Sequence, residues 1–355
     1  MIFPLKNITY RSWRYRMLYL WRFIATLSYG KIYNFILNRL EYKQTKVRLR
    51  SYPSQVIIDI TNICNLKCPL CPTGTGKIDR QKGKMSPTSF DKITDQLANK
   101  AQAVHLYNWG EPLLLGNFAD YCKIAKSKGF VISTSSNLSM KLDQERANEI
   151  IEAGPDRIIV SFDGLTERTY SMYRQGGSYQ LLLDNLKLII QSKKILRKKY
   201  PLIVLQFLKH RGNQSETQNL PEVCYDLGAD EFQVVDILLP YGEGSNRSLA
   251  NYWITENRLA NEDGNFEIRK NDQDKPCPHL WKYPVINHDA TISPCCFVYL
   301  KRDDIAELRY INFQNAWNSK RYQTSRKMFA NRKYTDCQPC SSCPVFRSFI
   351  KSINT

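Results

Sequence analysis

Histidine is scarce in this chain, with four residues in 355, and acidic residues are outnumbered, 33 against 51 lysines and arginines. Long apolar runs are also missing. No stretch of about 18 uncharged apolar residues occurs, which excludes an ordinary membrane-spanning helix. The N-terminus lacks a clean apolar core and a small-residue cleavage site, because Arg14, Arg16 and Arg22 interrupt it; a secretory signal is not expected. No internal repeat or low-complexity tract is visible. With so few histidines, and with His105, His210, His279 and His288 sharing no motif, imidazole catalysis is a weak expectation and packing roles are preferred. The formal charge of +18 favours an anionic partner: nucleic acid, an acidic lipid surface or a phosphorylated substrate.

What is plentiful is cysteine, eleven residues unevenly placed. Three lie at 64–71 and six between 277 and 343, while Cys122 and Cys224 stand alone and read as small buried residues. A secreted disulfide scaffold would be short. The clusters therefore read as metal ligands in a reducing cytoplasm.

Residues 8–40 carry helical periodicity. Winding them places Trp13, Met17, Leu20, Trp21, Ile24 and Leu27 on about a third of the circumference, with Arg14 and Arg16 flanking that stripe and Arg11 and Arg22 opposite. Two readings stay open: a helix in a membrane interface, peripheral at its inner face, or a helix packed on the protein's own core. From 53 to 240, short apolar runs at 56–60, 103–107, 130–135, 157–162, 202–208 and 231–235 alternate with helical stretches at 87–100, 116–128, 143–153, 178–199 and 214–227. Six βα repeats predict a parallel sheet. The length is too short for eight repeats, so the fold class is α/β, a partial (β/α)6 TIM-like barrel. Residues 241–276 read as a linker, and 277–355 as a small metal-stabilised C-terminal domain. Residues 1–52 form a basic amphipathic extension. The run at 193–199 is a solvated helix end.

The first cysteine cluster is a strand running into Cys64-x3-Cys68-x2-Cys71. Three thiolates on one loop hold three irons of a [4Fe–4S] cluster and leave one iron open. Structural zinc prefers four ligands in paired spacing. The surrounding chain resembles the radical S-adenosylmethionine (SAM) superfamily. Asn65, Leu66 and Pro69 are similar to its cluster loop, and Asn108-Trp109-Gly110-Glu111-Pro112 to its GGEP segment. Ser133-Thr134-Ser135-Ser136-Asn137 resembles its third-strand turn, and Val160-Ser161-Phe162-Asp163-Gly164 with Tyr173-Arg174-Gln175-Gly176-Gly177 its later segments. The resemblance implies that Gly110 and Glu111 meet the SAM amino group, Asn137 lies near the ribose, and Ser161 and Arg174 contact ribose or carboxylate. It further implies reductive SAM cleavage to a 5′-deoxyadenosyl radical, hydrogen abstraction from a substrate C–H bond, and an electron donor such as flavodoxin or ferredoxin.

In the second group, Cys277, Cys295, Cys340 and Cys343 supply four thiolates, enough for an auxiliary [4Fe–4S] cluster; Cys296 and Cys337 are the extras, although Cys337 and Cys340 form an alternative pair. This part resembles the SPASM or shortened twitch extension, with residues 286–295 as its small hairpin and Ala290 where a glycine is expected. A zinc knuckle built from the same four residues is the bland alternative. The expected outcome is oxidation or epimerisation, with a thiol such as Cys296 or Cys337 returning hydrogen in the latter case. A lipid-linked sugar or other envelope precursor is the expected substrate. Alternatives are a peptide undergoing maturation and an RNA, the RNA being the weaker fit because the basic residues are scattered.

Overall fold

The computed structural model describes residues 9–11, 13–237, 247–255, 275–343, 346 and 349. After β1 (Thr9–Arg11), α1 (Trp13–Ala25) and α2 (Tyr29–Lys43) comes a repeating unit: β2 (Gln55–Ile58), α3 (Pro87–Asp95), β3 (Ala103–His105), α4 (Phe118–Ser127), β4 (Val131–Ser136), α5 (Gln144–Ala153), β5 (Arg157–Ser161), α6 (Glu167–Tyr173), α7 (Tyr179–Ile195), β6 (Leu202–Lys209), α8 (Leu220–Asp226) and β7 (Glu231–Asp236). Strands β2 to β7 pair in parallel and in sequence order, giving the expected (β/α)6 partial barrel. Helix α6 was not foreseen. It is only seven residues long and is fixed by a reciprocal Thr166–Thr169 capping box, which leaves too short a periodic signal.

Strand alternation sorts the side chains. Val56, Ile58, Val104, Ile132, Ile158, Val160, Ile203 and Leu205 point outward into the main core beneath the helices. Their neighbours point into the lumen, where Ile159, Leu202 and Val204 pack around Tyr15 from α1. The N-terminal extension therefore closes the barrel floor. Gln102 donates to the Phe23 carbonyl at 2.9 Å, Asn34 to the Tyr52 and Lys100 carbonyls at 3.2 and 3.0 Å, and the Tyr200 hydroxyl to the Leu18 carbonyl at 2.7 Å. Arg22 pairs with Asp156, and Lys31 donates to Gly129. Each barrel partner immediately precedes a parallel strand.

The single helix expected over 8–40 is corrected here. Residues 9–11 pair antiparallel with β7, because that outer strand offers unpaired backbone groups a periodicity analysis does not see. The helix also breaks after Ala25. Thr26 bonds back to the Arg22 and Phe23 carbonyls, and Ser28 caps α2 by accepting from Lys31 N.

Within the region read as a linker, Arg247–Trp253 forms α9; 241–246 and 256–274 lie outside the described residues. The C-terminal module continues with α10 (His279–Lys282), β8 (Val285–Ile286), β9 (Thr291–Ser293), β10 (Ala306–Glu307), α11 (Phe313–Trp317) and α12 (Lys320–Asn331). Strand β8 pairs in parallel with β2, and β9 and β10 follow antiparallel, so barrel and module share one ten-stranded sheet. Arg80 reinforces the junction by pairing with Asp304 and donating to Thr291 Oγ1 at 2.9 Å. At the β8–β9 turn Ala290 adopts φ 62°, the left-handed conformation that the missing glycine would have taken.

Candidate functional site

All parallel strands deliver their C-terminal ends to one mouth, opposite the floor. The Cys64–Cys71 loop leaves β2 there, 108–111 follows β3, Asn137 follows β4, and Ser161 ends β5. Glu111 is buried, and its carboxylate accepts from Asn137 N at 2.7 Å and Leu113 N at 3.2 Å. Burial pushes Glu111 up to about 7, against the pull of those N–H groups. A carboxylate has about four acceptor positions, so room remains for an ammonium donor that would hold it ionised. The Asn137 amide donates to Asn65 Oδ1 at 3.1 Å and lies 3.9 Å from Cys64 Sγ. Glu111, Asn137 and the cluster loop are thus one connected group. Gly110 is forced by packing, since a β-carbon there would stand 1.9 Å from the Thr61 carbonyl oxygen. Trp109, which replaces the family's first glycine, reaches instead to the C-terminal module, its indole donating to the Val298 carbonyl at 3.1 Å.

Arg174 follows α6. Its Nε donates to Asp163, and its Nη1 lies 3.9 Å from Cys68 Sγ. Asp163 is fully buried and also accepts from Leu208 N at 2.8 Å. Ser161 is buried opposite Gln206 on β6. The structure brings Cys64, Cys68, Glu111, Asn137 and Arg174 into contact range, with Gly110 held against the loop.

The thiols fit an iron cluster. Burial pushes Cys64 up to about 12, with Glu111, Cys68 and Cys71 adding to the rise; burial also raises Cys68, which Arg174 partly offsets. Bare thiolates are therefore resisted, and bound iron supplies the positive charge that would ionise them. Around the loop, Leu66, Leu70, Tyr173, Ile237, Trp253 and Ile254 form an apolar shell. Trp253 packs edge-on against Tyr173 and His210, with ring centroids 5.4 and 5.1 Å apart.

Three residues of this site escaped the sequence analysis. Asp163 was quoted within the Val160–Gly164 segment without a role of its own, although an Asp and an Arg eleven residues apart was the available signal. Asp59 accepts from Trp109 N at 3.3 Å and anchors the 108–111 segment; an acidic residue inside an apolar strand run was the clue. Trp253 had none, because its segment lacks periodicity.

In the C-terminal module, Cys277 opens α10, Cys295 follows β9, and Cys340 and Cys343 bracket one helical turn. The module cysteines are close enough to act on one another: Cys296, Cys343, Cys277 and Cys340 all raise Cys295 beyond its burial, and Cys343, Cys277 and Cys337 do the same to Cys340. Burial pushes Cys277 up to about 12, with Cys343 adding to it and the His279 and Leu280 N–H groups opposing it. The set fits a fully coordinated cluster as the first loop does. Cys337 stands beside Cys340 and adds to its rise, with its thiol 3.4 Å from Ser325 Oγ and donating to the Arg321 carbonyl. Cys296 adds to the rise at both Cys277 and, in the barrel lumen, Tyr107, and so lies between the two compartments. Among the described residues no three His, Cys, Asp or Glu side chains close around a point as one metal ion would require.

Comparison with known proteins gives the same two regions. The radical SAM superfamily profile matches residues 58–200, and SPASM, an iron–sulfur cluster-binding domain, matches 277–344. The chain is 23% identical over 311 residues to the tungsten-containing aldehyde ferredoxin oxidoreductase cofactor-modifying protein of Pyrococcus furiosus, covering 80% of this chain and 86% of that protein. It is 24% identical over 221 residues to the PqqA peptide cyclase of Bradyrhizobium diazoefficiens, covering 62% of this chain and 53% of that protein. Streptococcus suis SuiB bound to S-adenosylmethionine shares the fold with a TM-score of 0.60 at 15% identity, over 89% of this chain and 77% of that one. SuiB has also been solved bound to the precursor peptide SuiA, with a TM-score of 0.60 at 14% identity over 90% and 76%.

Proposed function

Since the chain belongs to the radical SAM superfamily and carries a SPASM domain, we propose that it abstracts hydrogen from a C–H bond of a peptide held between the barrel mouth and the C-terminal module, and that the net outcome is oxidation. Its cofactors are a SAM-binding [4Fe–4S] cluster, an auxiliary cluster and SAM. When bound, these supply the electron that cleaves SAM to the 5′-deoxyadenosyl radical and a second centre that takes an electron from the substrate. The chain's own residues bind, orient and shield. In this reading Cys64, Cys68 and Cys71 hold the first cluster, and Cys277, Cys295, Cys340 and Cys343 the second. Glu111 accepts from the SAM ammonium, with Gly110 bringing the backbone close. Asn137 and Ser161 face the ribose, and Arg174, held by Asp163, meets the carboxylate. The apolar shell with Trp253 excludes water and oxygen.

The observation that carries this reading is the convergence of the cluster loop, Glu111, Asn137 and Arg174 at one end of the sheet. A peptide is preferred over the lipid-linked sugar because PqqA peptide cyclase and peptide-bound SuiB are among the similar proteins. Flavodoxin or ferredoxin is the proposed electron donor. The test is anaerobic reconstitution with iron and sulfide, then dithionite and SAM. The expected result is 5′-deoxyadenosine from the native chain and none from Cys68→Ala. Absence of 5′-deoxyadenosine from a fully loaded chain overturns the chemistry. Deuterium entering product from heavy water, with no change of oxidation state, overturns oxidation in favour of epimerisation, with Cys296 as the proposed hydrogen donor.

A further inference from the structure

Helix α2 is inside out. Its buried residues are Lys31, Asn34, Asn38 and Glu41, all polar, while Tyr29, Ile32, Tyr33, Phe35, Ile36 and Leu40 are exposed, Tyr29 at 87%. The inward polar side chains are all engaged. Lys31 donates to Gly129, Asn34 bridges the Tyr52 and Lys100 carbonyls, and Asn38 donates to the Trp281 carbonyl at 2.7 Å. Glu41 accepts from Arg50 N, Ser51 N and the Ser51 hydroxyl. Helix α1 continues the pattern: Tyr15 is buried in the barrel floor, and Trp13, Met17, Leu20, Trp21 and Ile24 are exposed, the two tryptophans at 78% and 68%. Helix α2 thus docks on the barrel by its polar positions and α1 by Tyr15 and the Arg22–Asp156 pair, and both present apolar stripes outward. A helix that satisfies only its own chain does the reverse, and an apolar patch this continuous marks an interaction surface.

Charge identifies the partner. Residues 1–50 contain eleven lysines and arginines and one acidic residue, Glu41, which is buried. Arg14, Arg16, Arg39, Lys43, Lys46, Arg48 and Arg50 are exposed around the apolar stripes. A second copy of the chain would bring the same positive charge against it. A bilayer rich in anionic lipid offers an apolar interior behind negative headgroups, which suits tryptophan and tyrosine rings rimmed by arginine. Among the described residues no helix is long and apolar enough to cross a membrane.

We propose that α1 and α2 seat the enzyme on an anionic bilayer surface by the barrel floor, with the mouth directed away from the membrane. The orientation follows from topology. Every floor contact of these helices lies at the N-terminal ends of the parallel strands, and every proposed cofactor residue of the barrel lies at or beyond their C-terminal ends. Strands of three to eight residues separate the two by ~10–25 Å. The substrate accordingly arrives from the aqueous side. The surface is independent of the radical chemistry, and its test needs no SAM.

The experiment is co-sedimentation of the full chain with phosphatidylcholine vesicles, with and without phosphatidylserine, followed by hydrogen exchange on the bound protein. The expected result is binding that requires the anionic lipid, weakens with salt, and drops at least tenfold in a Trp21→Gln, Ile24→Gln, Ile36→Gln variant with native circular dichroism and melting. Protection should be confined to 13–43, leaving 61–73 and 108–111 unchanged. No binding to either vesicle, or unchanged binding by the variant, overturns the proposal. Protection of the mouth loops overturns the orientation. A dimer in light scattering that the same substitutions dissociate would make a second copy the occupant and overturn the lipid assignment.

Discussion

A β-carbon on Gly110 would collide with backbone, the Thr61 carbonyl at 1.9 Å, and backbone cannot rotate aside as a side chain can. Gly110→Ala is therefore expected to cost about 3 kcal/mol and to lower iron per chain, read by melting and iron analysis. Ala290 presents the opposite case. Its φ of 62° costs an L-residue about 1–2 kcal/mol, so Ala290→Gly should raise the melting temperature by a few degrees. Asp163 is buried against Arg174, and removing one partner of a buried pair leaves the other uncompensated. Asp163→Ala is expected to cost about 3–5 kcal/mol. The milder Asp163→Asn should keep the fold and reduce SAM affinity, measured by equilibrium binding to reconstituted protein. Unchanged affinity in Asp163→Asn would remove the positioning role from Asp163.

Among the elements, β2 to β7 were legible as short apolar runs, because parallel strands are buried on both faces, and the larger helices by their 3.6-residue period. The short elements were not. Helix α9 is seven residues between segments without periodicity, yet it delivers Trp253 and Ile254 to the shell around the cluster loop. Trp253→Ala is expected to speed bleaching of the reconstituted cluster in air several-fold, followed by visible absorption, with little change in 5′-deoxyadenosine formed anaerobically. An equal bleaching rate would show that α9 does not shield the cluster. The N-terminal stripe was legible as a stripe, but its direction was not. Periodicity identifies two faces, and only contacts show which one the protein uses.

For the whole molecule, the decisive feature is that barrel and C-terminal module are one sheet joined at β2 and β8. A chain ending before residue 277 would uncover the β2 edge and the floor packing of Trp281, whose indole donates to the Lys46 carbonyl. Such a truncation is expected to be insoluble, read as soluble yield, rather than to behave as a free barrel. Acid sensitivity is also a property of the folded whole. Burial holds His105 down to about 3 and His210 down to about 4. Between those values and about 6.5 the unfolded chain binds more protons, so stability is full above that window and falls as pH drops through it, by roughly 1.4 kcal/mol per pH unit for each histidine. Glu111 and Asp59, both pushed up to about 7 by burial, contribute in the opposite sense, so the histidine contribution is read as a difference: the melting temperature of His210→Gln should gain on that of the native chain as pH drops from 7 to 5.

The sequence by itself determined the chemistry: three thiolates at 3-then-2 spacing, the segments in order behind each strand, and four further thiolates downstream. Those features are local, set by residue type and separation, and local information survives in one dimension. The tertiary structure decided how they combine. It joined Glu111 to Cys64 through Asn137, brought Arg174 to Cys68 of the same loop, and set Cys337 against Ser325 beside Cys340. It turned the apolar N-terminal stripe outward, because Asn34, Asn38 and Lys31 found backbone partners on the barrel floor. A buried hydrogen bond between residues far apart in sequence leaves no periodic trace, and those bonds fix which way the molecule faces.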